Sequence, residues 1–346
     1  MSLEQNLKDK KILFLSVQYF GYEKIISNQL RTYGAHVDYY DERPSNSIFA
    51  KGIIRLKRSF YQRTINTYYR RLLELTKVTK YDFLFVIRGE VVPAFFLEEL
   101  RVLQPGCEFI FYTWDSFTNH THPLSIQSYF DKRFTFDSND AVKYDLIFRP
   151  LFFIDEYEKL HRSEKGLVKY NLLFLGTAHT DRYKIGNQLM EWCSANKLTS
   201  FNYYYMNGRL VFLYKKFFDK SFQKFEYKKL SFNSLNVSEI INLYKESSVI
   251  LDINHPGQNG LTMRTFEALG AGKKIITTNK EIIKFPFYNE NNIGIIDRAN
   301  PVLDKEFFDT PFVEIDESVL YNMSLSGWLY SIFVESTPGY WIKDVK

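Results

Sequence analysis

The chain of 346 residues is longer than one hydrophobic core of ordinary size organises, so two domains are expected. Its 45% hydrophobic content argues against wholesale disorder, and a net charge of +5 is too slight for the dense basic face of a nucleic-acid-binding protein, while fitting anionic substrates or an anionic membrane surface. Cys107 and Cys193 stand alone, with no disulfide or zinc spacing; the polar start MSLEQNLKDKK lacks a signal-peptide core, and no apolar run reaches the ~18 residues of a membrane span, so a cytoplasmic protein is expected.

Residues 11–17, KILFLSV, form an apolar run of strand length. From Tyr22 to Tyr33 the apolar positions Ile25, Ile26, Leu30 and Tyr33 have helical spacing, Gly34 ends the run, and His36 to Tyr40 is a second strand. This is the β-loop-α-β opening of a doubly wound sheet. Its first loop, Gln18 to Gly21, has no GxGxxG fingerprint and supports no dinucleotide site. Ile54 to Leu73 reads as one long amphipathic helix whose polar side carries Arg55, Lys57, Arg58, Arg63, Arg70 and Arg71. A basic face with aromatic neighbours suits peripheral contact with an anionic membrane or a phospholipid-linked acceptor; a packed helix with a solvated basic side fits equally.

Tyr81 to Ile87 is nearly all apolar, as in a strand buried on both faces, and runs straight into Arg88-Gly89-Glu90. Pro93 opens the helix Ala94 to Leu103. The next buried strand, Glu108 to Thr113, ends in Trp114-Asp115-Ser116, with His120 and His122 in the loop beyond. Open α/β sheets gather functional side chains where strands end at the carboxyl edge, so Arg88, Glu90 and Asp115 are expected to converge. Phe134 to Asp137 is a short strand, with Ser138 or Asn139 capping a helix to Tyr144. The charged segment IDEYEKLHRSEKG after Arg149-Pro150 is a hinge candidate.

A second sheet begins with Tyr170 to Leu175, and Gly176-Thr177-Ala178 turns into a helix near Asp181. Phe201 to Tyr205 is strand-like. Leu210 to Leu230 mixes Lys with Phe and Tyr, as in a second membrane-facing patch or in a packed helix with snorkelling lysines. Val237 to Lys245 is a capped helix, and Leu325 to Phe333 places Trp328 at helical spacing.

The most informative stretch runs from Asn254 to Asn279, NHPGQNGLTMRTFEALGAGKKIITTN. It follows the buried strand Ser248 to Ile253, loops through Pro256, Gly257 and Gly260, forms a helix Leu261 to Leu269, stops at Gly270 and Gly272, and continues as a strand from Lys274 to Thr278. A helix start at the carboxyl edge of a parallel sheet offers free N–H groups and partial positive charge to a phosphate or carboxylate. Thr262 and Arg264 lie in its first turn, and Glu267, one turn later, is placed to accept from a pair of ribose hydroxyls.

Glu267-Ala268-Leu269-Gly270-Ala271-Gly272 resembles the nucleotide-sugar signature of GT-B glycosyltransferases, in particular the group-1-like branch of capsular, lipopolysaccharide and spore-coat (CgeB-like) enzymes. The IRGE, YTWDS and FDSNDAVKYDLIFRPLFF pieces resemble the N-terminal domain of that branch. The signature carries two glutamates eight positions apart; the first falls on Asn259, a departure that bears on donor-sugar identity. The resemblance implies an α/β fold of two Rossmann-like doubly wound parallel-sheet domains facing across a cleft: an acceptor domain over 1–155, a nucleotide-sugar domain over 165–320, and a tail, 321–346, crossing back to the first. It implies a glycosyltransferase of surface-polysaccharide assembly, moving a sugar from a nucleotide-sugar donor to a glycan or lipid-linked acceptor, without a metal or a cofactor beyond the donor. Gly176, Thr177, His255, Asn259, Gly260, Leu261, Thr262, Arg264 and Glu267 are the donor-site candidates. Asp115, then Glu90 and His120, with His122 behind, are the candidates for activating the acceptor hydroxyl. A non-hydrolysing sugar-nucleotide epimerase and a catalytically inactive scaffold of the same fold are the alternatives.

Overall fold

A computed structural model describes residues 2–342 apart from Lys165, His179, Asn207, Lys220, Ser221, Gln223, Lys224 and Pro338. These fall into two compact units, one from the residues up to Pro150 together with Leu325–Trp341, the other from Leu151–Ser324.

In the first unit, strands β1 (Lys11–Ser16), β2 (His36–Asp41), β3 (Phe83–Ile87), β4 (Glu108–Thr113), β5 (Lys132–Thr135) and β6 (Ile147–Phe148) form a parallel sheet in the order β2-β1-β3-β4-β5-β6. The helices are α1 (Leu3–Leu7), α2 (Tyr22–Thr32), α3 (Ile48–Lys57), α4 (Gln62–Thr76), α5 (Ala94–Leu103) and α6 (Ser138–Tyr144). β3 is buried at all five positions, as its unbroken apolar run requires of a strand covered on both faces. One face, with Leu13, Leu15, Leu84, Val86, Phe109 and Phe111, packs on Ile65, Tyr69 and Leu72 of α4 and Phe96, Leu97 and Leu100 of α5. The other face receives the helix Leu325–Phe333, whose Trp328 meets Tyr112 edge-on at 4.8 Å between ring centroids while Phe333 meets Phe85 at 5.2 Å.

Three expectations are corrected in this unit and at its border. The single helix over 54–73 is two, α3 and α4, separated by a 3-10 turn at Arg58–Tyr61. The cap of α6 is Asp137, whose carboxylate accepts from the N–H groups of Asn139 and Asp140, in place of Ser138 or Asn139. The charged segment read as a hinge contains the helix Asp155–Arg162, acidic in its first turn and basic in its last as the helix dipole favours.

In the second unit, β7 (Tyr170–Thr177), β8 (Ser200–Tyr205), β9 (Leu230–Ser231), β10 (Ser247–Asp252), β11 (Lys274–Thr277) and β12 (Ile293–Ile295) form a parallel sheet in the order β12-β11-β10-β7-β8-β9. Its helices are α7 (Asp155–Arg162), α8 (Arg182–Ala195), α9 (Arg209–Phe218), α10 (Val237–Lys245), α11 (Met263–Gly270), α12 (Glu306–Asp309) and α13 (Glu317–Met323). A capping box between Asn236 and Glu239 starts α10. α11 ends because Gly272 takes φ +63°, and a Cβ there would stand 1.7 Å from His161 Nδ1.

The chain is therefore α/β, built of two doubly wound parallel sheets. Strand order reverses between β1 and β3 in one unit and between β7 and β10 in the other, and the carboxyl edge of such a reversal is where open α/β sheets bind ligands. Among the described residues no helix is long and apolar enough to cross a membrane. Trp328→Ala should destabilise the first unit by about 3–5 kcal/mol, because a fully buried indole leaves a cavity its neighbours fill only partly; urea unfolding of the full chain followed by tryptophan fluorescence and circular dichroism checks this.

Candidate active site

At the reversal in the second unit, β10 ends in the fully buried Asp252, whose Oδ2 accepts from Thr265 Oγ1 at 3.4 Å and whose Oδ1 has no hydrogen-bond partner among the described residues. The loop that follows is held from several sides. Asn254 exchanges bonds with Thr278, its N–H donating to Oγ1 at 3.3 Å and its Oδ1 accepting from the same hydroxyl at 2.7 Å. Asn279 Nδ2 donates to the Asn259 carbonyl at 2.9 Å. Arg298 pairs with Asp181 at 2.6 Å and donates to the Asn254 carbonyl at 2.6 Å, and Arg182 Nε donates to the Ile253 carbonyl at 2.7 Å. His255 Nδ1 accepts from the Gly257 N–H at 3.2 Å, and burial, then Arg182 and Arg298, hold the imidazole below its usual range. The loop is thus pre-shaped, with two guanidinium groups against it.

α11 begins directly after this loop. Thr262 is its N-cap but makes no side-chain bond to the first turn, and its Oγ1 is buried without a hydrogen-bond partner among the described residues. Arg264 has a buried Nε likewise without one among the described residues; burial draws its charge down, but Tyr244, Asp252 and Glu267 outweigh this and hold the guanidinium protonated. Glu267 is buried one turn in and accepts from Tyr244 Oη at 3.5 Å. The cation expected to reach outward from the helix start is therefore tied electrostatically into a buried Tyr–Asp–Glu cluster. Thr177 is exposed at the end of β7, and Gly176 packs so close to the Phe174 ring that a Cβ would lie 2.6 Å from it. Asn259 is exposed, and Gly260 and Leu261 are buried. Asp252, Tyr244, Arg182 and Arg298 are additions that the motif alone does not indicate. Arg298 follows a strand of only three residues, too short to mark in sequence.

At the reversal in the first unit, Arg88 and Gly89 both take left-handed backbone, at φ +85° and +66°. For an arginine this conformation is costly and is held here by the surrounding structure. A Cβ on Gly89 would stand a tight 3.0 Å from the Phe111 ring, and with its left-handed backbone the turn favours glycine. Arg88 is the hub of what gathers there. Its Nε lies 3.0 Å from Asp115 Oδ2, and its Nη2 lies 3.5 Å from Glu90 Oε1 and donates to His120 Nε2 at 2.6 Å. Since arginine only donates, that imidazole nitrogen is an acceptor and the ring proton sits on Nδ1.

Arg88, Glu90, Asp115 and His120 thus converge, but unequally. Asp115 keeps about a third of its side chain exposed, at 33%. Glu90 is buried and engaged by Arg43 Nε at 2.5 Å as well as by Arg88; burial raises its carboxyl, and the two guanidinium groups more than reverse that. It orients Arg88 and has no face left for a substrate. His122 donates from Nε2 to the Val92 carbonyl at 2.8 Å and is drawn down to about 4 by burial and by Arg58, so it stays neutral and structural. Arg58, read in sequence as part of a solvated basic face, turns inward and donates to the Val91 carbonyl at 3.2 Å.

Glu42 and Arg43, just past β2, join this cluster without having been singled out by sequence. Glu42 Oε1 accepts from the Glu90 N–H at 2.9 Å, its Oε2 has no partner among the described residues, and burial followed by the Glu90 charge pushes it up to about 8.

No protein-family model matches the sequence, and no curated protein matches it. Solved structures do resemble it. A glycosyltransferase from Rickettsia africae ESF-5 is similar with a TM-score of 0.56 at 13% identity, over 95% of this chain and 100% of that one. An α-glucosyltransferase in complex with UDP and a 13-mer DNA containing a central A:G mismatch is similar at 0.52 and 11% identity, over 94% and 90%. The N-terminal domain of Candida albicans trehalose-6-phosphate phosphatase follows at 0.52 and 8%, over 95% and 94%. At such identities the likeness concerns the fold, which is that of the GT-B class.

The raised Glu42 carboxyl predicts a pH dependence. An unfolded glutamate ionises near 4.5, so between 4.5 and about 8 the folded chain holds a proton that the unfolded chain lacks, and stability falls as pH rises through that window. Glu42→Gln keeps an acceptor for the Glu90 N–H and removes the titration. Its urea midpoint should change less between the two ends of the window than that of the wild type.

Proposed function

We propose that this chain is a glycosyltransferase that moves a sugar from a nucleoside diphosphate donor to an acceptor hydroxyl. The observation that carries the reading is the start of α11: an uncapped helix N-terminus at the strand-order reversal, with Glu267 one turn in and Arg182 and Arg298 fastening the loop before it. Free N–H groups and nearby guanidinium charge suit a diphosphate, and a carboxylate one turn on suits the ribose hydroxyls. Arg264 then serves by holding Glu267 and Asp252 in place. His255, Asn259 and Thr177, on the same edge, are the candidates for the donor sugar.

In the transfer, the acceptor oxygen forms a bond to the anomeric carbon as the bond from that carbon to the diphosphate oxygen breaks. The electron pair leaves on the diphosphate, where donors aimed at the developing charge lower the barrier most. The acceptor proton goes to Asp115, the one carboxylate of its cluster with an exposed face. Arg88 keeps Asp115 oriented, and Glu90, held by Arg43, keeps Arg88 oriented. The resemblance around Glu267-Ala268-Leu269-Gly270 supports the finer reading of a glycan or lipid-linked acceptor in capsular or lipopolysaccharide-type surface polysaccharide.

Thermal shift against UDP, GDP, CDP and CMP is the test. One nucleoside diphosphate should raise the melting temperature, and Glu267→Gln should weaken that ligand about tenfold or more, the worth of a charge-assisted hydrogen bond. Asp115→Asn should leave nucleotide binding intact and lower kcat about 100-fold or more. A panel with no shift, or release of an altered free sugar with no acceptor present, overturns the reading.

A further inference from the structure

The helix α9 is inside out. Leu210, Leu213, Tyr214, Phe217 and Phe218 fall at the i, i+3, i+4, i+7, i+8 positions of one apolar stripe, yet they expose between 48% and 81% of their surface. The inward side holds Phe212, packed on Phe222 and Tyr227, together with the lysines: Lys216 Nζ donates to the Phe225 carbonyl at 3.0 Å, and Lys215 lies over the Phe222 ring at 5.5 Å. A contiguous stripe of three aromatic rings and two leucines goes well beyond the scattered apolar residues that any protein surface carries.

The charge around the stripe says what covers it. In sequence, residues 209–230 contain seven Lys and Arg against two acidic residues, a surplus of five. Beside the stripe lies an open hollow of about 810 Å³, whose lining pairs the apolar Phe212, Leu213 and Phe225 with three cations, Arg209, Lys216 and Lys228, against one acid, Glu226. A second copy seated on this face would set one cationic segment against another, which association disfavours. An anionic bilayer has the opposite pairing, acyl chains beneath a negative headgroup layer.

We infer that α9 is an interfacial helix that lays its apolar stripe into an anionic membrane surface, with the surrounding lysines and arginines at headgroup level. The inference does not depend on the sugar-transfer reading. Of the two membrane-facing candidates in the sequence, residues 54–73 and Leu210 to Leu230, it takes the second. In the first, Ile65, Tyr69, Leu72 and Leu73 of α4 are spent on the core.

Flotation of the full chain with phosphatidylcholine vesicles, with and without phosphatidylglycerol, tests it. The wild type should float with the anionic vesicles and stay behind with pure phosphatidylcholine. Phe217→Ser combined with Phe218→Ser should lower partitioning at least about tenfold, at unchanged melting temperature, since two exposed rings are removed. Lys228→Gln combined with Lys229→Gln should weaken binding and its salt dependence. Wild-type protein that fails to float, or equal flotation of the serine variant, overturns the inference. So does loss of flotation in Arg63→Gln/Arg70→Gln/Arg71→Gln with the serine variant unaffected. Sedimentation velocity that finds a dimer lost in the serine variant, without vesicle binding, assigns the stripe to a second copy instead.

Discussion

A parallel sheet that grows outward in both directions from its first strand cannot be sealed where the order reverses. Right-handed crossovers send the helices on either side of the seam to opposite faces, so the two central strands end at the carboxyl edge with nothing over them. In the second unit the seam lies between β7 and β10, and α8 and α11 leave it to opposite sides; in the first it lies between β1 and β3, flanked by α2 and α5. The central candidate residues owe their positions to these seams. Asp252 and Glu267 are where they are because β10 must stop and α11 must start there, and Arg88 because β3 must stop beside β1.

The two seams are nonetheless in different electrostatic states. The first is closed by its own ions: Arg43 and Arg88 hold Glu90, and Arg88 also holds Asp115 and His120. Within it two adjacent carboxyls are driven apart. Glu90 has two guanidinium groups in contact, and ion pairing outweighs burial. Glu42 has one backbone N–H, and burial outweighs everything else. In the second seam the unsatisfied atoms gather at a helix start: Asp252 Oδ1, Thr262 Oγ1 and Arg264 Nε are buried without hydrogen-bond partners among the described residues, as Glu42 Oε2 is in the first, and each such atom costs on the order of 1–3 kcal/mol. A helix start without a side-chain cap suits a polar ligand, and a network of guanidinium groups and carboxylates suits holding a single carboxylate steady.

Most of the sheet framework is legible in the sequence, because strands covered on both faces are unbroken apolar runs: FLFVI and EFIFYT end where β3 and β4 end. α10 and α11 are legible for a different reason, a capping box and a glycine stop. The break in 54–73 is not, because the three-residue spacing of a 3-10 turn leaves apolar positions in phase with the helices on either side. The cap of α6 is not, because Asp137, Ser138 and Asn139 are three competent caps in a row and only the backbone path selects one. At the site, residues on adjacent strand ends are predictable as neighbours, hence Arg88 with Asp115. Glu42 and Arg43 follow β2 and Arg298 follows β12, strands two places across the sheet from β3 and β10, and no local pattern announces such meetings.

The direction in which an amphipathic helix faces is the hardest thing of all to read. α4 and α9 have the same signature, aromatic and aliphatic residues at three-to-four spacing with Lys and Arg between. Periodicity measures how well the two kinds of side chain are segregated, and it is silent on which kind meets the protein. What decides is the surface opposite. α4 lies over the central strands of its sheet, where Leu13, Leu15, Leu84 and Val86 accept a full apolar face. α9 joins β8 to β9, an edge strand of two residues, and such an edge seats Phe212 and little more. The remaining apolar side chains meet little protein among the described residues, and in water each exposed ring carries an unfavourable hydration cost. A helix so arranged, on a cationic stretch of the chain, is physically intelligible when the medium against it is apolar within and negative at its surface.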